Sequence, residues 1–130
     1  MQSRKIQWII IVAKDWKLLK DFYVDKLGMQ VVREVPEDGF VQMQVGNQSF
    51  AIYQRDRLSD VIPKDLLTDD FEKAKTIFSF NQSENIYDDY ESMRREGIDF
   101  IQPPTKQPWG QITAYFKDPE GNIWELQKWD

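Results

Sequence analysis

The chain of 130 residues contains neither cysteine nor histidine. Without cysteine there can be no disulfide, no thiolate zinc site, no iron–sulfur cluster and no cysteine nucleophile, and no redox signature of the compartment. Without histidine there is no imidazole base and no imidazole metal ligand, which excludes Ser-His-Asp and Cys-His catalysis. Positive charge is in the minority too: 17 Lys and Arg against 22 Asp and Glu leave a net charge of −5. That balance argues against nucleic acid as a partner, because phosphate binding needs clustered basic residues. Long apolar runs are also missing. The run Ile9 to Ala13 is followed at once by Lys14 and Asp15, which is too short to span a bilayer and lacks a signal peptide's cleavage region. No membrane partner is expected, and the cytoplasm is the expected compartment.

What the chain has in quantity is aromatic residues, 14% of the total with five Trp. Most large rings serve burial, yet five indoles leave some to line a ligand pocket. At 41% hydrophobic and 30% charged, the composition is that of a globular protein. A chain of this size buries about two-thirds of its unfolded surface, enough for one self-sufficient domain over residues 1–130.

The β-branched run at Ile9 to Ala13 reads as a strand buried on both faces. Asp15 is an N-cap candidate for a helix from about Trp16 to Lys26, with Gly28 where a left-handed C-cap belongs. Met29 to Val35 reads as a strand closed by the turn Pro36-Glu37-Asp38-Gly39. Phe40 to Val45 alternates as a half-buried strand does, and Gly46-Asn47 turns it into a second, Ser49 to Gln54. Residues 55–75 form a charged connector with a short helix. Then the order repeats: a strand Thr76 to Phe80, a helix Ile86 to Glu96 capped by Gly97, and a strand Ile98 to Gln102. A loop Pro103 to Gly110, a strand Gln111 to Lys117, the turn Asp118 to Asn122 and a strand Ile123 to Gln127 complete it. Phe50-Ala51-Ile52-Tyr53-Gln54 answers Ile123-Trp124-Glu125-Leu126-Gln127. The pattern predicts an α+β fold of two βαβββ modules in tandem, about 4–54 and 76–129. Each helix covers one face of its sheet, and the curved mixed sheets enclose a cavity.

Three segments resemble the vicinal oxygen chelate superfamily, which groups glyoxalase I, bleomycin resistance proteins and extradiol dioxygenases. They are Val12-Ala13-Lys14-Asp15 leading to Phe22-Tyr23-Val24-Asp25-Lys26-Leu27-Gly28-Met29; Pro108-Trp109-Gly110-Gln111 followed by Ala114-Tyr115-Phe116; and Asp118-Pro119-Glu120-Gly121-Asn122-Ile123-Trp124-Glu125-Leu126. The resemblance implies paired βαβββ modules, commonly a homodimer, and in the family's enzymes a divalent metal held from strands one, four, five and eight. Carried over, those positions fall on Trp8, on Ile52 (Tyr53 if the register slips by one), near Ile77 or Phe78, and on Glu125. Only Glu125 matches, so no metal and no other cofactor is expected, and the chain is closest in character to the metal-free bleomycin-resistance-like members.

The ligand-binding residues expected on this basis are Trp8, Ile10, Phe50, Ile52, Phe78, Trp109, Tyr115 and Glu125. Val12 lies on the same face, and Trp124 alternates away from Glu125 to pack beneath the second helix. The expected function is metal-independent binding of a small aromatic or cationic molecule, resembling antibiotic sequestration, rather than catalysis. Two alternatives stay open: a metal-dependent lyase, isomerase or dioxygenase with atypical ligands, and a metal-free acid/base enzyme using Glu125 as its catalytic residue.

Overall fold

The β-branched run near the start extends from Trp8 to Ala13 as strand β1 in the computed structural model, which describes residues 4, 6–58, 61–71 and 73–129. Contacts divide the chain into two compact units, 1–71 and 72–130, a boundary inside the expected connector.

In the first unit, Asp15 caps helix α1 (Trp16–Asp21), its Oδ1 accepting from the Leu18 amide at 3.2 Å. The expected single helix to Lys26 instead widens into a π-type turn over Phe22–Lys26. It ends at Gly28, whose φ of 71° suits the left-handed cap. Strands β2 (Gln30–Val35), β3 (Phe40–Val45) and β4 (Gln48–Gln54) follow. They form a sheet in the order β1-β4-β3-β2, with β1 and β4 parallel and the other pairs antiparallel. Leu19 and Tyr23 are fully buried together with Val41, Met43 and Ile52, and the Tyr23 ring meets Phe50 edge-on at 5.4 Å. Gly39, at φ 63°, ends the turn before β3; a Cβ there would lie 2.4 Å from the Gln54 Cβ. After β4 comes the short helix α2 (Arg55–Leu58). The Arg55 guanidinium donates to the carbonyls of Thr68 at 2.5 Å and Lys64 at 3.3 Å, tying down the connector.

In the second unit, strand β5 (Ile77–Ser79) precedes helix α3 (Ile86–Arg95), capped by Asn85, whose Oδ1 accepts from the Asp88 amide at 3.2 Å. Strands β6 (Asp99–Lys106), β7 (Gln111–Lys117) and β8 (Ile123–Trp129) complete a sheet in the order β5-β8-β7-β6. Its core is aromatic. Trp124 lies 4.9 Å from both Phe78 and Phe80 and stacks near Phe116, while Tyr90 of α3 meets Phe100 edge-on at 4.7 Å. The expected loop from Pro103 begins later, because β6 continues through Pro103-Pro104 to Lys106. Two register shifts bracket Gln102, and β6 is an edge strand. Proline, which has no N–H for a ladder, is tolerated in such places. Among the described residues, no helix is long and apolar enough to cross a membrane.

Candidate functional site

Each sheet has one face covered by its own helix and one face that is not. The phase of the pleat decides which side chains belong to the helix-free face, since neighbours in register point the same way. On β1, Ile11 and Ala13 are buried and Trp8, Ile10 and Val12 point the other way; Trp8 is 38% and Ile10 46% exposed. The parallel register sets Trp8 beside Ser49, Ile10 beside Ala51 and Val12 beside Tyr53. Across β3, Gln44, Gln42 and Phe40 continue these rows. Trp8 comes within 6.1 Å of the Phe40 ring, and Phe40 within 5.4 Å of the Tyr53 ring. The helix-free face of the first unit therefore carries an aromatic cluster of Trp8, Phe40 and Tyr53.

Phe50 and Ile52 do not share this face. They pair with Ile9 and Ile11 and are buried at 2% and 0% exposure on the helix side. Their expected placement rested on matching β4 to β8 by residue likeness, which slips by one. The turn before β4 is short and the turn before β8 is long, so likeness alone does not set the phase. The buried aromatics do: Phe50 answers Trp124, and Glu125 is answered by Ala51. Phe78 is corrected for the same reason. It pairs with Trp124 on the helix side, and its neighbour Ser79 stands beside Glu125.

On the second unit, one row crosses the whole sheet on the helix-free face: Gln102 on β6, Tyr115 on β7, Glu125 on β8 and Ser79 on β5. The Tyr115 hydroxyl donates to Glu125 Oε2 and the Ser79 hydroxyl to Oε1, each at 2.7 Å. The carboxylate is thus held by both oxygens while each keeps a lone pair free to accept again. The bond to Glu125, with burial added, raises the Tyr115 pKa above its ordinary value of 10.0, against an opposing hydrogen bond from Thr113. The phenol stays a donor. At the end of the row, Gln102 Oε1 is buried and has no hydrogen-bond partner among the described residues, a loss of about 1–3 kcal/mol for an unsatisfied group.

Beyond this row the face remains polar. Gln107 Nε2 donates to the Thr113 hydroxyl at 2.9 Å, and Gln111 Nε2 to Gln127 Oε1 at 3.2 Å. Trp109 is 59% exposed on the turn before β7, and its Nε1 donates to Gln111 Oε1 at 2.9 Å. Trp124 alternates onto the helix side and is buried, as expected. Phe40, Ser79 and Gln102 were not among the expected site residues. The alternation of Phe40, Gln42 and Gln44 in β3 was a usable signal for the first. Gln102 carried none, because the register shifts around it are a property of the paired strands.

The metal implied by the resemblance would have to be held by the donors of these helix-free faces. The helix-free positions on β1, β4, β5 and β8 offer Trp8, Ile10 and Val12, then Ser49, Ala51 and Tyr53, then Ile77 and Ser79, and finally Glu125. One carboxylate falls short of the three protein ligands a catalytic ion needs. Among the described residues, no group of three or more Asp or Glu is placed to hold an ion. The residues do not fit that metal centre.

Comparison with known proteins agrees with the topology. An uncharacterized protein from Shewanella frigidimarina is 27% identical, with 95% of this chain and 93% of the relative covered. The crystal structure of a glyoxalase/bleomycin resistance protein/dioxygenase from Nocardioides superposes with a TM-score of 0.84 at 24% identity, covering 99% of this chain and 85% of that one. A lactoylglutathione lyase from Agrobacterium tumefaciens gives 0.76 at 18% identity, covering 98% and 95%. At these identities the two solved structures speak for the fold alone. A family model matches residues 5–126, and the chain belongs to the Glyoxalase/Bleomycin resistance protein/Dioxygenase superfamily.

Proposed function

We propose that this protein binds a small aromatic or cationic organic molecule without the aid of a metal, in the manner of bleomycin-resistance-type sequestration. The observation that carries this reading is the cluster of Trp8, Phe40 and Tyr53 on a sheet face with no helix of its own unit above it. Stacking of a flat ligand on such rings adds about 0.5–1.5 kcal/mol per ring pair beyond area burial. Glu125, fixed by Ser79 and Tyr115, and a net charge of −5 favour a positively charged ligand. A homodimer in the cytoplasm, with no nucleic-acid or membrane partner, belongs to the same proposal. Titrating intrinsic Trp fluorescence with planar cationic dyes tests it. Saturable quenching that is lost in Trp8→Ala supports the reading; no response up to millimolar dye overturns it.

A second reading is favoured by the fixed carboxylate itself: a lyase, isomerase or dioxygenase of the glyoxalase type, or a metal-free acid/base enzyme with Glu125 as base. Metal analysis of the purified protein, with turnover assayed in wild type and Glu125→Gln, separates the two. Stoichiometric metal, or turnover abolished by Glu125→Gln, supports the enzyme.

A further inference from the structure

The row Gln102–Tyr115–Glu125–Ser79 consumes its donors internally and leaves its acceptors over. Ser79 and Tyr115 each spend a hydroxyl hydrogen on Glu125, and Tyr115 is held in its protonated form by that bond. What remains is the second lone pair on each Glu125 oxygen and the buried, unpartnered Gln102 Oε1. Gln102 and Glu125 flank Tyr115 on the neighbouring strands, so their backbones stand about 10 Å apart.

We propose that Gln102 and Glu125 together form a recognition site for an amidinium, guanidinium or ammonium group of the ligand. Glu125 takes the charge and Gln102 Oε1 accepts a further N–H from the same group. Tyr115 and Ser79 are positioning residues that hold the carboxylate. The proposal rests on the small-molecule-binding reading and deepens it: it specifies which chemical group of a ligand the second unit recognises. It also accounts for a buried acceptor that the fold leaves unsatisfied, since a ligand N–H would satisfy it.

Benzamidine and its neutral isostere benzamide are suitable probes, titrated by calorimetry and by amide chemical shifts. Wild type is expected to prefer benzamidine by about tenfold or more, as charge-assisted hydrogen bonds require. Glu125→Gln should abolish the preference. Gln102→Leu should weaken benzamidine binding by about five- to tenfold while the melting temperature stays level or rises, because an unsatisfied polar atom has been removed. A merely structural Gln102 would instead lower the melting temperature and leave affinity unchanged. Gln102→Glu, which keeps an acceptor, should retain the preference. Equal affinity for the two probes, no binding of either, or an unaffected Gln102→Leu variant overturns the proposal. Quenching of Trp8 by a neutral planar dye reports the broader binding reading separately, so the two can fail independently.

Discussion

Trp8 and Trp124 lie on opposite sides of their sheets, and truncating each to alanine tests that assignment quantitatively. Trp124 is 4% exposed and lies 4.9 Å from both Phe78 and Phe80. Its removal withdraws about 200 Å² of apolar surface, roughly 5 kcal/mol at about 25 cal/mol per Å². The retained methyl group and some collapse of the site bring this to about 4 kcal/mol, within the usual range of about 3–5 for a core aromatic. That is a large share of a typical total of about 5–15 kcal/mol. Trp8 is 38% exposed and has no helix of its own unit above it, so the same reasoning yields about 2 kcal/mol. Urea unfolding followed by far-ultraviolet circular dichroism, which does not depend on the fluorophore removed, is the assay. With a slope near 2 kcal/mol per molar, the midpoint should fall by about 2 M in Trp124→Ala and about 1 M in Trp8→Ala. If Trp8→Ala costs as much as Trp124→Ala, the assignment of faces is wrong. Binding should divide the opposite way, with planar dyes weakened by Trp8→Ala and untouched by Phe78→Leu.

Gly39→Ala should destabilise the protein by about 2 kcal/mol or more in the same assay, since a φ of 63° and a contact at 2.4 Å with Gln54 penalise any Cβ. Asp118→Ala should cost about 2 kcal/mol, because its Oδ1 accepts from the amides of Glu120 and Asn122 at 2.9 Å and its Oδ2 from the Asn122 side chain at 2.7 Å. In a spectrophotometric titration Tyr115 should ionise above its ordinary value of 10.0, a contribution that Tyr115→Phe should remove. Glu125→Gln should shift that tyrosine back toward 10, the Glu125 bond being the leading cause. The sign follows: a pKa raised by folding contributes stability below the unfolded value near 10 that is lost as pH climbs through the folded one.

Much of the fold was legible in order and spacing. Asp15 before Trp16 fixed the start of the first helix by capping chemistry. The alternation in Phe40–Val45 and the short turn at Gly46-Asn47 located β3 and β4. Pro103-Pro104 misled, because prolines read as loop until it is known that their strand lies at a sheet edge with shifted register. Phe50, Ile52 and Phe78 misled for another reason. An apolar residue in a strand looks the same from either side, and only the partner strands and the helix above reveal which side is dry.

The sequence by itself therefore determined the repeated βαβββ order, the absence of imidazole and thiolate chemistry, and the place of Glu125, all of which are local or compositional. The tertiary structure alone decided which alternate residues of β4 and β5 face away from the helices, and which four side chains share the row through Glu125. Those are questions of register between strands distant in sequence, where a slip of one residue sends every side chain to the opposite face. The same long-range pairing left the Oε1 of Gln102, on the strand beside Tyr115, buried without a partner among the described residues, a feature no local pattern could announce.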